Sequence, residues 1–212
     1  MSQSPRRALI VIDVQNEYFT GDLPIEYPEV QGSLANILRA MDAAQAAAIP
    51  VVVLQHLSAE GSALFARGSD GAALHPEVAA RPRDLLVEKQ MASAFAGTGL
   101  GAWLRERQID TLSVVGYMTH NCDDSTVRQA WHEGWAVELL HDATGAVPYT
   151  NALGQASAEE IHRVFTLVMH TGFASVLDTA TWLGLLRDGG EAPRDSIHHS
   201  NLRARGKALP GA

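Results

Sequence analysis

Three reactive side chains each follow a short apolar segment of the sequence. Asp13 comes directly after the run at residues 8–12, and Lys89 and Cys122 lie just beyond two further runs. A thiolate is the reactive form of cysteine, and a nearby cation or a helix N-terminus lowers the thiol pKa. A carboxylate can take the thiol proton and return it to a leaving amine. Together, these groups suit addition of sulfur to an amide carbon, followed by hydrolysis of a thioester.

Each of these signals also has a structural explanation. An Asp after an apolar strand is often a turn residue, a single Cys is often buried and inert, and a Lys is usually solvated. The spacing alone therefore does not select this triad. If a helix begins at Cys122, its first backbone N–H groups could stabilise an oxyanion, and one such donor contributes roughly 3 kcal/mol.

Apolar runs alternate with helical patterns along the chain. Strands are predicted at residues 8–12, 51–54, 84–87, 111–115, 135–140 and 174–177. This rhythm predicts an α/β fold, with an open, mostly parallel six-stranded sheet and helices on both faces. Ligands of such sheets bind beyond the carboxyl ends of the strands, where Asp13, Lys89 and Cys122 lie.

The segments between the strands carry recognisable helix signals. Ser33 is a candidate N-cap for the helix after the first strand, and Ser157 with Glu160 forms a capping box. Residues 58–83 form a long loop without periodicity, which is often functional. We predict one domain over residues 1–187, followed by an irregular tail at 188–212 that could reach a neighbouring subunit.

Composition narrows the class of protein. The chain has 212 residues, a net charge of −8 and one cysteine, which excludes an internal disulfide. The acidic balance argues against nucleic-acid binding. The N-terminal apolar run is too short for a signal peptide or a membrane span. We therefore expect a soluble, cytoplasmic protein without a membrane partner.

Several motifs together resemble the isochorismatase-like cysteine hydrolase family. They occupy residues 11–16, 87–95 and 115–122, with further agreement at 126–130, Gly134 and 142–143. The resemblance extends from about residue 8 to residue 183, which is nearly the whole predicted domain. Its three main motifs occur in order and at compatible separations.

The resemblance implies a catalytic triad of Asp13, Lys89 and Cys122. It also implies a cis peptide between Tyr117 and Met118, with the backbone N–H groups of Met118 and Cys122 forming an oxyanion hole. Candidate substrate-binding residues are Gln15, Phe19, His56 and Tyr117. Gln15 could instead cap its loop, and Phe19 could be a packing residue.

Departures from relatives narrow the reaction. Nicotinamidases of this superfamily bind a metal through an Asp-x-His motif, but this chain has Leu54 where the Asp would be. His56 and His75 without a carboxylate make a poor metal site, so we expect no metal and no cofactor. Asp123 and Asp124 favour a helix N-terminus, yet either would raise the thiol pKa if it faced Cys122.

We therefore expect a hydrolase that cleaves an amide-type C–N bond of a small molecule through a Cys122 thioester. One alternative is vinyl-ether hydrolysis without a covalent step, which is the reaction of true isochorismatases. These enzymes usually lack the cysteine, so Cys122 argues against it. Another alternative is a catalytically silent member that serves as a binding module. The resemblance also implies a homo-oligomer, a dimer or a tetramer.

Overall fold

A six-stranded parallel sheet forms the centre of the computed structural model, which describes residues 4–209. The strands are β1 (Arg7–Ile12), β2 (Val51–His56), β3 (Leu85–Lys89), β4 (Thr111–Tyr117), β5 (Ala136–Gly145) and β8 (Ser175–Leu177). Their order in the sheet is β3-β2-β1-β4-β5-β8. Residues 1–3 of the predicted domain and 210–212 of the predicted tail lie outside the described residues.

Helices cover both faces of this sheet. They are α1 (Val30–Ala46), α2 (Pro76–Ala79), α3 (Leu100–Glu106), α4 (Asp124–His132), α5 (Ala158–His170), α6 (Thr179–Asp188) and α7 (Ile197–Ala204). One core packs α1 and α6 against the sheet, and the core on the opposite face includes residues of α3, α4 and α5. Within residues 4–209, no helix is both long and apolar enough to cross a membrane.

The continuous apolar runs form strands because both faces of the sheet are covered. Every residue of β1 is buried, and so is every residue of β4. Parallel strands of this kind are apolar throughout rather than alternating. The predicted fold class is confirmed, and each predicted strand is present, but β5 continues to Gly145, beyond its predicted end at residue 140.

The start of α1 differs from the prediction. The N-cap is Glu29, whose carboxylate accepts from the backbone N–H groups of Gln31 and Gly32. Ser33 lies inside the helix, where its hydroxyl contacts Tyr117 Oη at 2.8 Å. The Ser33 cap is therefore wrong, because the helix begins earlier, at Val30, where the acidic side chain of Glu29 satisfies its first donors. The capping box of Ser157 and Glu160 is confirmed.

Two short elements were not predicted. An antiparallel hairpin pairs β6 (Tyr149–Asn151) with β7 (Gly154–Ala156), and its strands are too short and too exposed for a strand pattern. The irregular tail after residue 187 is wrong in one segment, where α7 is capped by Ser196. An ion pair between Asp195 and Arg203 also links the two ends of this helix. The predicted homo-oligomer stays a prediction.

Gly116 allows β4 to lie close to β1 beside Asp13. Its φ is +115°, in the region that favours glycine. A Cβ atom at this position would lie 2.1 Å from the carbonyl oxygen of Ile12. Because Ile12 immediately precedes Asp13, the glycine sets the separation of the two strands that bear the carboxylate and the nucleophile.

We expect Gly116→Ala to lower the free energy of unfolding by about 3 kcal/mol or more, through backbone strain and a steric clash. Gly134→Ala is the matched control, because Gly134 has φ +94° but its Cβ would meet nothing within 4 Å. Urea unfolding of both variants separates the clash from the strain. Equal losses of stability in the two variants would contradict the assigned role of Gly116.

Candidate active site

The order of the strands brings the three predicted catalytic residues to one edge of the sheet. The chain builds β1, β2 and β3 to one side and then returns to place β4 on the other side of β1. Such a reversal leaves a crevice at the carboxyl ends of the strands. Asp13 follows β1, Lys89 ends β3, and Cys122 lies in a π-helical turn, Thr119–Asp123, after β4.

Lys89 contacts both other members of the predicted triad. Its Nζ lies 2.6 Å from Asp13 Oδ2 and 3.3 Å from Cys122 Sγ. The side chains of Lys89 and Asp13 are wholly buried, and Cys122 is 5% exposed. Asp13 has φ +50°, an uncommon conformation for a residue other than glycine. The ammonium therefore lies between a carboxylate and a thiol in a site that excludes water.

The rest of the Lys89 environment consists of polar acceptors. Nζ donates to the carbonyl oxygen of Met91 at 3.1 Å and lies 3.5 Å from His56 Nδ1. Burial would lower the Lys89 pKa, but the charge of Asp13, together with the interactions with Cys122, outweighs it and raises that pKa. Burial and then the Lys89 charge lower the pKa of His56, which keeps its ring neutral.

The thiol of Cys122 is protonated in the free protein. Burial raises its pKa, and so does the negative charge of Asp13, while Lys89 acts in the opposite direction. A hydrogen bond with Asp13 also favours the protonated form. Lys89 lowers this pKa as expected, but desolvation is the largest effect and the net shift is upward.

The turn that carries Cys122 is closed by its own backbone. The peptide bond between Tyr117 and Met118 is cis. The carbonyl oxygen of Met118 accepts from the N–H groups of Asn121 at 3.0 Å and Asp123 at 3.1 Å. The oxyanion hole formed by the Met118 and Cys122 N–H groups stays a prediction.

Two of the candidate substrate-binding residues lie behind the site. Gln15 is fully buried, and its side-chain amide bonds to the backbone of His56 and Ala72. Tyr117 is fully buried, and its hydroxyl meets Ser33 in α1. The geometry therefore gives both residues a supporting position and does not favour direct contact with a substrate.

The other two candidates have partly exposed side chains near the crevice. The Phe19 ring lies 4.4 Å from that of His75, and the His56 ring lies 5.4 Å from that of Phe65. His75 caps α2, because its Nδ1 accepts from the N–H of Glu77. Among residues 4–209, no group of three or more His, Cys, Asp or Glu side chains is arranged to hold a metal ion.

Two tyrosines near the nucleophile were not predicted as site residues. Burial raises the pKa of Tyr18, and the charges of Asp13, Cys122 and Asp123 raise it further, so the phenol stays a hydrogen-bond donor. Tyr149 of the hairpin is also close enough to feel the Cys122 charge. Tyr18 lies five residues after Asp13, and this closeness is a sequence signal for a site residue. It was not decisive, because aromatic residues are common in cores.

His120 pairs with the hairpin rather than with the nucleophile. Its Nε2 lies 3.0 Å from Tyr149 Oη, and the two rings meet nearly edge to face. Burial lowers the pKa of His120 to about 4, so the ring is neutral. A Cys–His dyad is therefore not formed, and the hairpin contributes to the rim of the site through Tyr149.

The adjacent acids Asp123 and Asp124 point in different directions. Asp124 forms an ion pair with Arg128, with Oδ2 and Nε 2.8 Å apart on one side of α4. Asp123 is fully buried and hydrogen-bonds to Thr144 of β5. Burial raises the pKa of Asp123 to about 7, and the charge of Asp13 contributes to the shift. The two acids therefore have different environments, and of the two only Asp123 is wholly buried.

A cleft of about 390 Å³ borders Lys89 at the end of β3. Its lining includes the ion-paired Arg67 and Glu88, together with Gln90 and Met91. Clefts of this volume commonly bind small molecules. One member of the predicted triad, Lys89, therefore borders a surface opening.

Comparisons of this chain with known proteins all indicate the same family. The Isochorismatase domain model matches residues 7–181. A crystal structure from Burkholderia xenovorans LB400, described with the isochorismatases, is 62% identical and has a TM-score of 0.95, covering 96% of this chain and 98% of its own. A cysteine hydrolase from Pseudomonas syringae pv. phaseolicola 1448A is 27% identical, with a TM-score of 0.79 and coverage of 87% and 94%.

A relative from Methylobacterium radiotolerans carries the description ureidoacrylate amidohydrolase. It is 31% identical, and the match covers 87% of this chain and 81% of the relative. The match therefore spans most of both proteins.

We expect Lys89→Met to slow alkylation of Cys122 by iodoacetamide at least about tenfold near neutral pH, because the thiolate loses its cation. Intact-mass spectrometry measures this rate, and Cys122 is the single cysteine of the chain. Arg67→Met is the matched control, since it removes an exposed cation beside the same cleft. Alkylation of Lys89→Met at the wild-type rate would contradict the role given to Lys89.

Proposed function

Because this chain belongs to the isochorismatase family of hydrolases, we propose that it cleaves an amide-type C–N bond of a small molecule. The reaction passes through a thioester on Cys122, with Asp13 as acid and base and Lys89 as electrostatic partner. The observation that carries the proposal is the contact of one buried ammonium with both the carboxylate and the sulfur.

In the first half of the reaction, the thiol becomes a nucleophile only when substrate is present. Asp13 takes the Sγ proton as sulfur attacks the carbonyl carbon, and the carbonyl electrons move to oxygen. Lys89 keeps its proton and stabilises the negative charge on sulfur. The raised pKa of the Cys122 thiol supports this order, because little thiolate exists before attack.

The tetrahedral intermediate then expels an amine or ammonia. Protonated Asp13 gives its proton to the leaving nitrogen, the C–N bond breaks, and a thioester remains on Cys122. In the second half, Asp13 takes a proton from a water molecule as the water oxygen attacks the thioester carbon. The carboxylic acid leaves, and the proton on Asp13 returns to sulfur, which restores the resting site.

Relatives support an amide rather than an ether as the substrate. One is described as an amidohydrolase of ureidoacrylate, and one structure is described as a cysteine hydrolase. Hydrolysis of a vinyl ether needs no nucleophilic sulfur and leaves the buried Lys89–Cys122 contact without a role. The amide reaction uses every member of the triad.

We expect Cys122→Ala to abolish hydrolysis of any amide that the wild type cleaves, because no other group can form the acyl intermediate. A panel of small amides and ureido compounds, read by ammonia or amine release, identifies the substrate. Intact-mass spectrometry of the quenched wild type should show an adduct of acyl mass, absent from Cys122→Ala.

Asp13→Asn serves as a second variant, since it keeps the side-chain shape and removes the base. We expect its kcat to fall by roughly 10²–10⁴-fold. Undiminished turnover in Cys122→Ala would overturn the covalent scheme. Isochorismate turnover that survives in Cys122→Ser would instead favour ether hydrolysis.

A further inference from the structure

A buried chain of hydrogen bonds begins at the residue after the nucleophile. Asp123 Oδ2 is hydrogen-bonded to Thr144 Oγ1, which lies 2.9 Å from Thr119 Oγ1. Thr119 Oγ1 in turn lies 3.0 Å from His162 Nδ1. Asp123 and both threonines are wholly buried, and His162 is 4% exposed. The chain joins the Cys122 turn to β5 and to α5.

Each hydroxyl in this chain has a single proton to donate, so the protons can run in only two directions. In one direction, His162 donates from Nδ1 and the chain ends on an ionised Asp123. In the other direction, Asp123 is a carboxylic acid that donates to Thr144, and Nδ1 of His162 is the final acceptor. The two arrangements differ in the charge that they place beside Cys122.

The surroundings of Asp123 favour the neutral acid. Its Oδ1 is buried and has no hydrogen-bond partner among residues 4–209. An unpaired oxygen of a buried carboxylate costs far more free energy than the carbonyl oxygen of a neutral acid. Burial raises the pKa of Asp123 to about 7 and the charge of Asp13 adds to the shift, while the hydrogen bond with Thr144 and the charge of Lys89 act in the opposite direction.

The His162 end of the chain is consistent with this direction. Burial lowers the pKa of His162 to about 4, and the His141 and His120 rings lower it further. The His162 ring is therefore neutral and can accept at Nδ1.

We propose that Asp123 is a positioning residue that acts as a neutral acid, donating through Thr144 and Thr119 to His162. It thereby holds the Cys122 turn against β5 and α5 without placing a second negative charge beside the thiol. This role concerns the reactivity of Cys122 and holds whatever bond the enzyme cleaves.

The charge of Asp123 matters because the surroundings of the Cys122 thiol already disfavour its ionisation. Burial and Asp13 raise the pKa of Cys122, and Lys89 is the cation that opposes them. Ionisation of Asp123 would add a like charge and raise the thiol pKa again. The ionisable groups that interact electrostatically with Asp123 are Asp13, Tyr18, Lys89, Tyr117 and Asp124.

The sign of the pH effect follows from these shifts. The folded-state pKa of Asp123 is raised above its ordinary value, so the neutral form is retained in the fold as pH rises from about 4 to about 7. Above that range, Asp123 ionises and its charge raises the thiol pKa. Less thiolate then forms than the ionisation of the thiol alone would give. The rate of alkylation should therefore rise less steeply with pH near neutrality.

Infrared difference spectroscopy tests the protonation state directly. Wild type minus Asp123→Asn at about pH 5.5 should contain the carbonyl band of a protonated carboxylic acid, which disappears by about pH 9. Asp124→Asn is the matched control, since it makes the same chemical change at the adjacent acid and should retain the band. Absence of an acid band in the wild-type minus Asp123→Asn spectrum would overturn the proposal.

Alkylation of Cys122 by iodoacetamide provides the functional measurement without any substrate. Asn at position 123 can donate to Thr144 but cannot ionise, so its rate should rise with pH without the flattening seen in wild type. We expect Asp123→Asn to react roughly tenfold faster than wild type at about pH 8.5. Asp124→Asn should follow the wild-type curve.

A rate for Asp123→Asn at or below wild type at every pH, with an intact circular dichroism spectrum, would overturn the proposal. If Asp123→Asn does not fold, the infrared titration of wild type and Asp124→Asn still decides the matter. An acid band present in both and lost near pH 7 supports a neutral Asp123, and no such band refutes it.

Discussion

The buried ion pair between Lys89 and Asp13 is the interaction on which the rest of the site depends. Removing two charges from water is costly, and close contact with additional hydrogen bonds must offset that cost. The 2.6 Å contact and the Met91 carbonyl supply these interactions. Because the two residues belong to strands separated by β2, the pair requires the carboxyl ends of β1, β2 and β3 to align. Cys122 enters the same volume only because β4 returns beside β1.

This constraint determines how the nucleophile is activated. Burial protects the ion pair from water, but it also keeps the thiol protonated. In the proposed reaction, the thiolate therefore forms as part of the attack, with Asp13 receiving the proton and Lys89 fixed between them. A second carboxylate beside sulfur would work against that transfer. In its proposed role, Asp123 avoids this effect as a neutral acid at the head of a buried hydrogen-bond chain.

Local sequence predicted the sheet well, because strands covered on both faces need continuous apolar residues. It also predicted the Ser157 cap, because a capping box is a contact within four residues. It failed where competition or length mattered. Glu29 replaced Ser33 as the cap of α1, the exposed hairpin had no apolar pattern, and α7 is stabilised by its Ser196 cap and an ion pair rather than by a buried face.

The sequence by itself determined the residue types of the triad, their order and the family, because these depend on short motifs whose residues are neighbours along the chain. Only the tertiary structure decided which side chains share the pocket. Asp123 and Asp124 are adjacent in sequence, yet one faces β5 and the other faces Arg128. Gln15 and Tyr117 are fully buried, and their side chains bond to partners far along the chain. Side-chain direction in a turn and burial against distant elements set these outcomes, and no local pattern encodes either.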